Sequence, residues 1–364
     1  MISENLSELT LSLALALLVC SCTEPGAHHT PPDTATTDAP AAAPQRLRFT
    51  TGIRAILEDS QGNTWFGSHN EGAARYADGR YTYYTVADGL SDKQVRNIYE
   101  DGDGRIWLEG GKGISIYDGD SLRKVTDRNY AAPDHWAITD EQLWFKPDPP
   151  TGSSPAEGGS GVYGYDGQQL LYHLFPQSSG DLGTLSAGFV RGADGSVWFG
   201  TYSGVIGYDE EGYTVISNAS LGLTEDTGFL HVRALFEDSR GRLWIGNNGM
   251  GVLLYEDGQT ADFSKEQGLT SPLGIRRGGF HASTPTLEHV FAIGEDVDGN
   301  VWFGDRDTGA WRYDGTAVEN FGVAQGLPVP HVWRIYRSRA GALWFGMADG
   351  SVQRFADGRF ERVF

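Results

Sequence analysis

Residues 288–304 read EHVFAIGEDVDGNVWFG, and the second half of that stretch recurs along the whole chain. A turn, acidic in all copies but the last and carrying glycine in all but the third, precedes each of Trp65, Trp107, Trp144, Trp198, Trp244, Trp302 and Trp344. The turns are EDSQGN, EDGDGR, RGADGS, EDSRGR, EDVDGN and RSRAGA, with a shortened TDEQ before Trp144. Five of the seven tryptophans continue as WFG or WIG, whereas copies two and three read WLE and WFK. An aromatic residue and a second turn close each copy, at Tyr76, Tyr117, Tyr165, Tyr208, Tyr255, Tyr313 and Phe355.

A fixed internal repeat without helical periodicity predicts one supersecondary unit per copy. In copy five the four strands are expected at HVRALFED, RLWIGN, GVLLYED and QTADFS, joined by turns rich in Gly, Asp and Asn. A lone four-stranded sheet cannot cover both of its faces. Seven packed radially can, so the predicted fold is all-β, a seven-bladed β-propeller of four-stranded antiparallel blades over residues 45–364. The tryptophans then wedge neighbouring blades apart. Fifty glycines among 364 residues and an aromatic share of 12% agree with many short strands and tight turns. The last segment, RFERVF, completes a fourth strand for copy seven, yet QRLRFTT before copy one has the same character. The N-terminal strand is expected to clasp the ring.

The repeats resemble the two-component regulator propeller repeat in GLSDKQVRNIYEDGDGRIWLEGGKGISIYDG and GLPVPHVWRIYRSRAGALWFGMADGSVQRFADG. That resemblance implies an extracytoplasmic ligand-sensing propeller, a small-molecule or oligosaccharide ligand and a membrane-bound regulator as partner. The sequence closes at Phe364 without a transmembrane helix, kinase or receiver region, so signalling is expected to need a separate polypeptide. A weaker similarity links the repeats to streptogramin (virginiamycin B) lyases. It would make the chain a carbon–oxygen lyase working through His289, His331 and Glu288. A protein-docking scaffold is the third reading. No GxSxG, HExxH or phosphate-loop motif is present, which favours binding over catalysis.

Ahead of the repeats, Leu11 to Val19 is an apolar run too short to span a bilayer and suited to a signal peptide. It ends in VCSC, which resembles a lipobox with Cys22 as the acylated residue. The expected layout is a lipoprotein signal peptide over 1–21, then a disordered tether rich in Pro, Ala and Thr over 22–44. The alternative is an unlipidated secretory signal. The expected location is the cell envelope, at the periplasmic or outer-membrane surface, with the lipid as sole membrane attachment. Cys20 and Cys22 are the two cysteines of the chain, so the folded part has no disulfide. A net charge of −20 repels phosphate backbones and argues against nucleic acid.

Thirteen residues before each tryptophan lies the predicted start of an innermost strand. Those positions are Gly52, Gln94, Leu185, His231, His289 and His331, with His135 as the equivalent in the shortened third copy. Two residues further come Arg54, Arg96, Arg233, Phe291 and Trp333. His231, His289, His331 and His135, together with Arg54, Arg96, Arg233 and Trp333, are therefore the expected ligand-binding set at the channel mouth. Guanidinium forks suit carboxylate, sulfate or phosphate. No cofactor is required. A divalent metal on His231, His289 and His331 is the alternative use of the imidazoles. Insertions at 147–160 and 270–288, the latter carrying Arg276, Arg277 and His281, are expected on the same side, as are Glu109 and Lys146. The DGDG and DVDG turns lack a downstream bidentate glutamate and read as hairpin chemistry rather than calcium loops.

Overall fold

The computed structural model describes residues 45–126, 129–132, 136, 138–139, 142–146, 160–176, 182–209, 211–271 and 285–364. The signal peptide, the tether, Cys22, His135, Arg276, Arg277 and His281 lie outside the described residues. Seven four-stranded sheets are present. In six of them the four strands, here called a to d from the axis outward, pair antiparallel in chain order. The inner strands are Ile53–Glu58, Val95–Glu100, Leu185–Arg191, Val232–Glu237, Val290–Glu295 and Val332–Arg337. No described helix is long and apolar enough to cross a membrane.

The acidic turn is a fastening device with two parts. Asp59 Oδ1 accepts the N–H groups of Gln61 and Asn63, while Oδ2 accepts the indole N–H of Trp65 at 2.8 Å. The same indole bond, at 2.7 Å, joins Trp107 to Asp101, Trp244 to Asp238 and Trp302 to Asp296. Each aspartate thus satisfies a buried donor and closes its own turn, as the hairpin reading expects. The preceding glutamate works across the seam: Glu100 accepts Ser60 N–H, Glu237 accepts Ala193 N–H and Glu295 accepts Ser239 N–H, each from the blade before.

The tryptophans fill the seams as expected. Trp302 lies 5.4 Å from Phe345 and 4.8 Å from Phe355 of blade seven, and Trp65 lies 5.2 Å from Tyr117 of blade two. The glycine two residues after the tryptophan is dictated by the next inner strand. A Cβ on Gly67 would sit 2.7 Å from the carbonyl of Val95, and one on Gly304 2.7 Å from a methyl of Val332.

Blade three departs from this plan. Its order is b, c, d, followed at the outer edge by Asn129–Tyr130 running parallel to strand d, Leu170–Leu174. No described strand pairs with the inner edge of Leu143–Phe145, and the described residues of the expected inner segment, Trp136, Ile138 and Thr139, lie in no strand. The reason is packing. Trp136 stacks on Trp144 at 5.6 Å and lies 5.4 Å from Tyr208, and its carbonyl accepts the Tyr208 hydroxyl at 2.7 Å. With Ile138 it joins the core between blades three and four. In blade two the position that is glycine in five blades holds Glu109, whose side chain is 1% exposed.

Ring closure also differs from the expectation. The C-terminal Arg359–Arg362 forms strand d of blade seven against Val352–Ala356, whereas residues 45–51 join no sheet. A two-residue turn at Asp357 and Gly358, with φ of 51° and 77°, makes that pairing local. Its loop-closure cost is therefore far below that of recruiting the other end of the chain. The N-terminal segment instead buries Leu47 and Phe49 in the seam between blades seven and one.

Candidate functional site

Each regular inner strand enters from one face and is interrupted immediately by a β-bulge. The register skips one residue between Ile53 and Ala55, Val95 and Asn97, Val232 and Ala234, Val290 and Ala292, and Val332 and Arg334. The skipped residues are Arg54, Arg96, Arg233, Phe291 and Trp333. A bulge frees a residue from the ladder and re-aims its side chain, so five blades turn their largest inner side chains toward the axis at one level. In blade four the interruption is one residue longer, between Leu185 and Gly188, and holds Ser186 and Ala187. That extra residue displaces the thirteen-residue count. The residue matching the histidines is Thr184, whose carbonyl accepts Tyr202 N–H as that of His231 accepts Asn248 N–H, while Leu185 faces the core.

The bulged residues form a continuous belt with side chains of the b–c loops. Arg54 places its guanidinium 4.4 Å from the ring of Trp333, within cation–π range. Trp333 is sandwiched between His331 at 4.3 Å and His69 at 5.4 Å, and Phe291 meets it edge-on at 5.2 Å. Arg233 lies 5.3 Å from Phe291 and 5.4 Å from Tyr202, which stacks on His231 at 4.4 Å. In blade one the position matching the histidines is Gly52, where a Cβ would stand 2.4 Å from the Trp333 indole.

The imidazoles are held apart in defined tautomers. Asn248 Oδ1 faces Arg306 NH1 and His289 Nδ1, at 3.4 Å and 2.9 Å, so it accepts from both. His289 thus carries its proton on Nδ1. The Asn248 amide then donates to His231 Nδ1 at 3.3 Å. His69 Nδ1 accepts from Arg54 and Gln94, each at 3.2 Å. Burial pushes His331 down to about 4, so it is neutral, and its Nε2 is buried without a hydrogen-bond partner. Burial, then Arg306, also lowers His289. Among the described residues no three His, Cys, Asp or Glu side chains converge as a metal would need. His231, His289 and His331 are not brought together as a ligand set. Glu288 spends its carboxylate on Ser271 N–H and Thr286 Oγ1, anchoring the loop into blade six.

Arg54, Arg96 and Arg233 have no ion pair among the described residues. Their mutual repulsion is felt: burial first, then Arg96 and Arg233, brings Arg54 down to about 9. Glu109 is the carboxylate set against this cluster. Its enclosure pushes it up to about 7, opposed by Arg96 and Lys146 and by hydrogen bonds from Asn97 and the Lys146 backbone. One of its oxygens, Oε2, has no partner. A positive, aromatic-walled mouth inside a chain of net charge −20 is a local inversion of field, suited to drawing in an anion.

Of the residues the sequence singled out, the structure sets Arg54, Trp333 and His331 in contact, Arg233 beside Phe291, and His231 and His289 on either side of Asn248. His69, Tyr202, Asn248, Arg306 and Asp307 were missed. The first four stand four residues after their tryptophans, so counting forward as well as back would have found them. The inserted segments themselves lie mostly outside the described residues.

Three stretches, 49–70, 89–108 and 229–249, match the two component regulator propeller family. No curated protein matches the chain. Among solved structures, the chain is similar to the extracellular domain of a hybrid two component system from B. thetaiotaomicron. The TM-score is 0.61 at 18% identity, over 85% of this chain and 39% of that one. The extracellular domain of a one component system from the same organism gives 0.59 at 20%, over 84% and 39%. Virginiamycin B lyase from Staphylococcus aureus gives 0.42 at 14%, over 87% and 86%. This chain spans about two fifths of the length of the first two. At these identities the likeness is one of fold.

Proposed function

We propose that this chain, which carries two component regulator propeller repeats, is an extracytoplasmic sensor-type propeller that binds a small acidic ligand, an acidic saccharide, at the channel mouth. Cys22 carries the lipid that holds it to the cell envelope, and a membrane-bound regulator receives the signal. The observation that carries this reading is the set of guanidinia on the bulges of blades one, two and five, Arg54, Arg96 and Arg233, which make no ion pair among the described residues, with Arg54 and Arg233 set against aromatic faces. Gathering three cations at one level, with Arg54 and Arg233 desolvated, costs stability unless an anion completes them. Trp333 and Tyr202, the latter 43% exposed, offer flat surfaces for the apolar face of a sugar ring, and Phe229, 48% exposed, lies just before His231.

Isothermal titration with galacturonate and its oligomers at low ionic strength tests the reading. A charge-assisted hydrogen bond contributes about 1.5–3 kcal/mol, so Arg233→Ala or Arg54→Gln should weaken binding about tenfold to a hundredfold. Absence of binding across acidic and neutral saccharides, or affinities indifferent to both substitutions, would overturn it. Lipidation is read separately by labelled fatty-acid incorporation, which Cys22→Ala should abolish.

A further inference from the structure

One residue past the bulge, five inner strands carry small or short side chains: Ala55, Asn97, Gly188, Ala234 and Ala292. Blade seven alone places a long cation there, Arg334. It is partly buried, and desolvation holds its guanidinium below the usual range. It makes no ion pair among the described residues, and its Nε is buried without a hydrogen-bond partner. Its electrostatic partners are phenols, Tyr99 of blade two and Tyr336 of its own strand. Glu109 does not serve it, being engaged with Arg96, Lys146 and Asn97.

The far wall has a matching recess. Gly188 takes φ of 80°, and a Cβ built there would stand 3.4 Å from the Asn97 amide nitrogen and 3.7 Å from the Tyr99 hydroxyl. These two polar groups converge beside Gly188 of blade four. Asn97 and Arg334 stand one residue past the bulge and Tyr99 three, so this level lies about 3–10 Å along the strand from the outer arginines. A desolvated guanidinium without a counter-ion is costly, and a native fold retains one where something completes it.

We propose that Arg334, the Tyr99 hydroxyl and the Asn97 amide form an inner anion subsite on the channel axis, beneath Arg54, Arg96 and Arg233. The ligand is therefore a diacid, with its acidic groups in line with the axis and separated by roughly 5–10 Å. This rests on the channel being an anion site and adds the charge and shape of its ligand.

Linear diacids from glutarate to azelate, each titrated against the monoacid of equal chain length, supply the test. At least one diacid should bind ten times more tightly than its monoacid. Arg334→Gln should erase that margin and leave the monoacid unchanged, while Arg54→Gln should weaken both. The free protein supplies a second measurement. Arg334→Met should leave the melting temperature unchanged or raise it by roughly 2 °C, because it removes an uncompensated charge. Monoacid binding that depends on Arg54, with no diacid preference, overturns the inner subsite and leaves the outer site standing. Failure of every acid to bind overturns both. A drop of several degrees in Arg334→Met assigns the residue to structure and overturns the inner subsite.

Discussion

Replacing Glu109 with glutamine keeps the shape and the acceptor for the Asn97 and Lys146 hydrogen bonds, and removes one ionisation from the channel wall. The side chain is 1% exposed, and burial pushes its carboxyl from 4.5 to about 7. A group raised in the fold binds its proton more tightly there than in the unfolded chain, so its contribution to stability declines as pH climbs from about 4.5 to about 7. At 1.36 kcal/mol per pH unit of separation the loss is about 3 kcal/mol, complete above pH 8. His331 runs the other way. Lowered from 6.5 to about 4, it withdraws stability as pH falls through that interval, which flattens the parent curve where the two overlap. The difference between Glu109→Gln and the parent isolates the carboxyl. Urea unfolding at pH 5.0 and 8.5 should show the variant gaining about 3 kcal/mol on the parent at the higher pH. Anion affinity at pH 8.5 should rise in the same variant, because a negative charge beside Arg96 is gone. A stability difference that does not change with pH would refute the placement of Glu109 as a desolvated carboxyl.

Trp302→Ala should cost about 3–5 kcal/mol in the same assay, since it empties the seam between blades six and seven. Asp296→Ala, which strands the buried indole N–H and opens the turn, should cost about 1–3 kcal/mol without altering ligand affinity. Phe49→Ala should destabilise by about 3 kcal/mol although Phe49 belongs to no strand. An effect within 0.5 kcal/mol would show that the 45–51 segment is not part of the closure.

The repeat made the blade number legible because demands written nearby fix the tryptophans, an aspartate six residues earlier in four copies and a glycine two residues later in five. Local chemistry of that kind survives in a sequence. What was not legible came from competition between distant segments. HWAIT alternates as an inner strand should, yet Trp136 and Ile138 find a larger apolar surface between blades three and four. The histidine positions were found by counting back, which holds while the bulge keeps its length and fails in blade four, where it is one residue longer. The C-terminal strand was misjudged against the N-terminal one because composition treats both alike, whereas the Asp-Gly turn does not.

The unlike bulges also bear on how a guest would sit. A ring of equal sectors presents the same wall again at every seventh of a revolution, and a small molecule on its axis would have several poses of equal energy. Here blades one, two and five present cations, blades six and seven aromatic faces, and blade four only Ser186 and Ala187, so a rotated guest meets a different sequence of charge and hydrocarbon. The degeneracy is lifted, and a single azimuth is selected from an architecture that began as a repetition.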